Sequence, residues 1–136
     1  MRKNLVRFMP ALLLACAIPL AAQAADSNAA ASRQVATATA HAGMAVGASD
    51  LNMVHTHLHH VINCLVGPSG DSFDGDAGNP CKDMGNGAIV DAKGEAATEG
   101  TLHTAVREAE EGLQTTTLDA GHAAAQKVVS TLQEAK

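Results

Sequence analysis

Aromatic residues are almost absent from this chain, which has no Trp, no Tyr and only two Phe among 136 residues. A core without aromatic rings has to be built from Ala, Val, Leu, Ile and Met, which bury less area each. Basic residues are also few, with nine Lys and Arg against 14 Asp and Glu and a net charge of −5. Because nucleic-acid phosphates require a basic face, this balance argues against nucleic-acid binding.

The few basic residues are unevenly placed, since three of them lie within the first ten positions and precede an apolar run. Ala22-Gln23-Ala24 follows that run and offers the small residues of a signal-peptide cleavage site. We therefore expect residues 1–24 to be a signal peptide and residues 25–136 to form one periplasmic or secreted domain. The run is too short for a retained membrane span. A lipoprotein cleavage box ending at Cys16 is the alternative, which the apolar residues beyond it disfavour.

Cysteine is scarce as well, and only Cys64 and Cys81 lie beyond the expected signal peptide. Because export leads to an oxidising compartment, we predict a disulfide between them. The bridge would pin the Gly- and Asp-rich segment 67–100, and long connections in small domains are usually functional or pinned. A thiolate metal site shared with His60 is the alternative interpretation.

Beyond the signal peptide, apolar residues recur at three- and four-residue spacing, which is typical of amphipathic helices. The clearest case is residues 50–66, with Ser49 or Asp50 as N-cap and Gly67-Pro68 as the end of the helix. The sequence predicts an all-α four-helix bundle of two helical hairpins, with a long Gly/Asp-rich loop pinned by a disulfide. The expected helices cover about residues 30–47, 50–66, 101–113 and 117–134, and the loop covers residues 67–100.

Histidine is concentrated in the second of these helices, where four of the seven histidines lie within residues 55–60. His55 and His59 are four positions apart and flank the apolar stripe, and such pairs bind divalent ions on helices. His57 and His60 lie on the opposite side of the same helix. The pattern indicates a metal site, with ordinary surface histidines as the alternative.

A faint internal repeat links the remaining histidines to this helix. Residues 39–41 match residues 101–103, and the stripe 51–65 matches the stripe 118–132. Each half is then a helical hairpin with one histidine on each helix, and a bundle can gather ligands from facing helices around one ion. The candidate metal ligands predicted in this way are His55, His59, His41, His122, His103 and His60.

The two hairpins, with their His41-Ala42 and His122-Ala123 steps and a glycine before the turn, resemble small metal-binding four-helix-bundle proteins of bacterial periplasms. The likeness covers residues 38–62 and 101–132, and the loop 67–94 lies outside it. The resemblance implies an exported protein that binds copper and other divalent metals.

These observations favour an exported protein, not an enzyme, that sequesters or carries a divalent transition-metal ion or a copper ion. No nucleophile motif indicates catalysis. One alternative is a non-covalent haem site with Met44 or Met53 as an axial ligand, since the absence of Cys-x-x-Cys-His excludes covalent attachment. The other is an envelope interaction or stress protein whose helical faces bind a protein partner.

Overall fold

The computed structural model describes the backbone of residues 20–135 and the side chains of residues 23–135. Regular structure in this part of the chain is helical, and no strand occurs in it, so the all-α prediction is confirmed. The helices are α1 (Leu20–Val46), α2 (Leu51–Val66), α3 (Ala88–Asp91), α4 (Ala96–Leu113) and α5 (Leu118–Glu134). Residues 1–19 lie outside the described residues, and with them most of the predicted signal peptide and the alternative lipidation site at Cys16.

Helix α2 follows its predicted bounds because both of its ends carry strong signals. Asp50 is the N-cap, and its carboxylate accepts a hydrogen bond from the backbone N–H of Met53 at 2.9 Å. Gly67 ends the helix with a φ of +70°, at a place where a Cβ atom would overlap the backbone of Asn86. Between these ends Leu58 is completely buried, and a buried leucine of this kind stabilises the fold by about 1.5–3 kcal/mol.

Helix α1 is longer than predicted, because it begins at Leu20 within the described residues and not near residue 30. Alanine dominates the added turns, and neither proline nor glycine interrupts them. Ala38, Ala42 and Ala45 are fully buried, so the helix packs closely against both α2 and α5. Neither α1 nor any other described helix combines the length and the apolar character needed to cross a lipid bilayer.

Helices α1 and α2 form one hairpin, and α4 and α5 form a second. The second hairpin packs on the first through contacts of α5 with α1 and of α4 with α2. Helix α4 begins at Ala96 and not at Thr101 as expected. Glu99 stabilises this earlier start. Its carboxylate accepts a hydrogen bond from the backbone N–H of Gly94 at 2.6 Å, and its negative charge lies at the positive end of the helix dipole. The predicted break before α5 is present, with Thr117 as the N-cap.

The connection between α2 and α4 is not a plain loop, since it contains the short helix α3. A buried polar network holds α3 against α1. The side chain of Gln34 donates to the Asp91 carboxylate at 2.6 Å and accepts the backbone N–H of Gly87 at 2.8 Å. These bonds compensate the burial of the amide and the carboxylate, which would otherwise destabilise the fold.

The predicted disulfide between Cys64 and Cys81 is present and attaches the same connection to α2. The disulfide excludes the alternative thiolate metal site, because the two sulfurs are bonded to each other. The neighbouring Asn63 is also buried, and its amide donates to the carbonyls of Asp74 and Gly78, both at 2.6 Å. Residues 74–81 are therefore fixed on α2, close to its histidines.

Candidate metal centre

The short connection between α1 and α2 makes an antiparallel hairpin that brings three histidines together. His41 lies near the end of α1, and His57 and His60 lie one turn apart on α2. The ring centroid of His41 is 5.4 Å from that of His57 and 4.7 Å from that of His60. We call these three residues the His triad. Within residues 23–135 it is the only group of three or more His, Cys, Asp or Glu side chains whose ligand atoms, all within 4.8 Å of one another, could hold one ion.

The nitrogens that face one another in the triad are Nδ1 atoms. Nδ1 of His41 lies 3.2 Å from Nδ1 of His57 and 3.3 Å from Nδ1 of His60. Two nitrogens that bind one tetrahedral ion through bonds of about 2.0–2.1 Å are themselves about 3.3 Å apart. The two nitrogen pairs that include His41 therefore already have the separations of metal ligands.

The tautomer of His60 is set by the loop that covers it. Its Nε2 atom lies 2.8 Å from the carbonyl oxygen of Ala77, which can only accept a hydrogen bond. Nε2 therefore carries the hydrogen, and the neutral ring presents the lone pair of Nδ1 to His41. Metal-binding histidines commonly donate their second ring N–H to a backbone carbonyl, because that bond fixes the ring and makes the ligating nitrogen more basic.

Hydrogen bonds among the three rings do not satisfy all three Nδ1 atoms. Nδ1 of His41 carries either one hydrogen or one lone pair, but it faces the Nδ1 atoms of both other rings. One N–H···N bond uses this capacity and leaves the second pair of nitrogens with no hydrogen between them. A cation among the three nitrogens would engage all three lone pairs at once, so the geometry is compatible with a bound ion.

Protonation of His41 and His57 is disfavoured by their surroundings. Burial lowers the pKa of His41 below its ordinary value of 6.5, and the nearby His60 and His57 lower it further because like charges repel. Burial also lowers the pKa of His57, with His60 as the second cause. Both rings are therefore neutral at neutral pH, which leaves their nitrogens available to a metal ion.

Two of the predicted ligands, His55 and His122, have protein partners instead. Nε2 of His55 lies 3.3 Å from the hydroxyl of Thr115. Nε2 of His122 lies 2.9 Å from the carbonyl oxygen of Ala48. The equivalent positions of the repeat thus do not meet around one point, because each of these imidazoles ties a helix to a neighbouring turn.

The remaining predicted ligands, His59 and His103, also lie outside the His triad. Nδ1 of His59 is 3.6 Å from a carboxylate oxygen of Asp74, and the side chain of His103 is exposed. The structure therefore brings together two of the six predicted ligands, His41 and His60. The third member, His57, was missed, although its spacing from His60 places both on one face of α2.

The triad lies at the surface, with all three side chains partly exposed. An ion held by these three nitrogens would keep a fourth coordination position open, as in zinc sites that exchange or activate a ligand and unlike closed structural sites. Comparison of the chain with protein-family models, with curated proteins and with solved structures gave no match. The chemistry of the triad itself therefore has to indicate its function.

Proposed function

We propose that this protein is an exported metal-binding protein that holds one transition-metal ion through the His triad. It sequesters or carries this ion in the periplasm and has no catalytic role. The observation that carries the proposal is the approach of Nδ1 of His41 to Nδ1 of both His57 and His60 at ligand separations, with ligand atoms of all three residues within 4.8 Å of one another. Imidazole nitrogen favours copper, zinc, nickel and cobalt over magnesium and calcium. The net charge of −5 favours the approach of any of these cations.

The surroundings of the triad support a transported ion and not a structural one. The apolar core and the disulfide stabilise the fold without metal, in contrast to small domains that fold only around zinc. The triad lies outside the buried core cluster, so an ion can leave without disturbing the core. In this proposal α1, α2, α4 and α5 form a four-helix bundle that serves as a rigid frame for the site.

Acid should release the ion, because protons compete for the lone pairs of the imidazoles. The lowered pKa values of His41 and His57 keep these two nitrogens available to a lower pH than those of a free histidine. The protein therefore retains its ion at neutral pH and gives it up in mild acid.

Equilibrium dialysis of untagged protein against zinc or copper(II), with the retained metal measured by mass spectrometry, tests the proposal. We expect one ion per chain at neutral pH, and a loss of affinity of about tenfold or more in His57→Gln. His103→Gln is the matched control, because this exposed histidine lies outside the triad. Absence of retained metal in the wild type, or an equal loss in both variants, would contradict the proposal.

Export is tested separately, because it depends on the first 24 residues and not on the triad. Protein recovered from the periplasm of an expressing cell should begin at Ala25 or Asp26, as the small residues of the expected cleavage site require. Intact-mass measurement decides this. A full-length chain found only in the cytoplasm would contradict export and leave metal binding untouched.

A further inference from the structure

Two methionines near the His triad are exposed. Met44 is 51% exposed and Met53 is 43% exposed, which places them among the few exposed large hydrophobic side chains of residues 23–135. A single exposed apolar residue is ordinary in a folded protein. What distinguishes these two methionines is their position relative to the triad.

Helical spacing places both methionines on the face of the hairpin that carries the triad. Met44 follows His41 by three residues on α1, and Met53 precedes His57 by four residues on α2. Residues at these spacings are neighbours on one side of a helix. Because the two helices are antiparallel, both steps lead toward the turn between them. The contact between His41 and His57 sets the register, so helical spacing places Met44 and Met53 on the same side of the triad, toward the turn.

We infer that the ion of the His triad is copper, and that a thioether from Met44 or Met53 takes the open fourth position in the Cu(I) state. This inference rests on the proposed function. Thioether sulfur is a soft ligand that selects Cu(I), whereas imidazole binds zinc and copper alike. Three imidazoles with a thioether in the fourth position therefore distinguish Cu(I) from Zn(II), which the triad alone does not. Leucine at both positions would cover the same surface without this selectivity.

Competition with a chromophoric Cu(I) chelator, with ascorbate as a reductant that spares the disulfide, measures the Cu(I) affinity. Met44→Leu/Met53→Leu should lose about tenfold or more in Cu(I) affinity, with the Zn(II) affinity unchanged. Met84→Leu is the matched control, because the sulfur of Met84 is already engaged: it accepts a hydrogen bond from the Thr37 hydroxyl at 3.6 Å. This control should bind both ions like the wild type.

X-ray absorption at the copper edge gives an independent readout of the ligands. Sulfur scattering should be present in the Cu(I)-loaded wild type and absent from the double methionine variant. Equal Cu(I) affinity in these two proteins, or nitrogen scattering alone in the wild type, overturns the inference while zinc binding leaves the proposed function standing. A wild type that binds neither ion overturns both.

Discussion

Removal of the disulfide between Cys64 and Cys81 should weaken both the fold and the metal site. The bridge closes a loop with a sequence separation of 17, and closure of a loop of this size stabilises a protein by about 3 kcal/mol. Within that loop the carbonyl of Ala77 accepts the hydrogen bond that orients His60. Loss of such an orienting partner lowers metal affinity by about 10- to 100-fold.

The variant Cys64→Ala/Cys81→Ala measures both effects. Urea denaturation of the metal-free protein should give a free energy of unfolding about 3 kcal/mol below that of the oxidised wild type. A zinc titration should show the loss of affinity, and the same two cysteine substitutions should change affinity much less in a His60→Gln background. A stability loss below about 1 kcal/mol would refute the loop-closure argument. Unchanged zinc affinity would refute the orienting role of the loop.

Three further predictions concern the effect of pH on stability, the packing of a buried leucine and the attachment of the loop to α2. The free energy of unfolding of the metal-free protein should fall as the pH drops below 6.5, the ordinary pKa of histidine. The pKa values of His41 and His57 are lowered in the folded state, so the unfolded chain binds more protons than the folded chain in this pH range. Urea midpoints across this range measure the effect, which should flatten in His41→Gln/His57→Gln. Leu58→Ala, at a fully buried site, should cost about 2–5 kcal/mol of unfolding free energy in urea, while the exposed Thr56→Ala should cost little. Asn63→Ala removes three hydrogen bonds to the loop and should cost about 2–4 kcal/mol. It should also lower zinc affinity, and wild-type values in both assays would contradict the role of Asn63.

The fold was predictable where single residues have specific backbone roles. Asp50 and Gly67 mark the ends of α2, and the disulfide followed from the cysteine count and the expected compartment. Helix α3 was not predictable, because Gln34 and Asp91, which hold it in place, are far apart in the sequence. Local periodicity carries no information about such a contact.

The metal site was only partly predictable. Helical periodicity alone places His57 and His60 on one side of α2. The rotation of α1 about its axis decides whether His41 faces them, and alanine on all sides of that helix leaves the rotation undefined. The covering carbonyl of Ala77 comes from a loop without periodicity. The apolar periodicity favoured histidines beside the stripe, such as His55, and in the structure that imidazole lies within hydrogen-bond distance of the Thr115 hydroxyl.

Nitrogen-15 NMR of the histidine rings during a zinc titration tests most directly whether three Nδ1 atoms share one ion. The Nδ1 resonances of His41, His57 and His60 should shift together and saturate at one zinc per chain. The rings of His55 and His103 should keep their resonances throughout. Shifts confined to histidines outside the triad, or no saturable shift at all, would contradict the account.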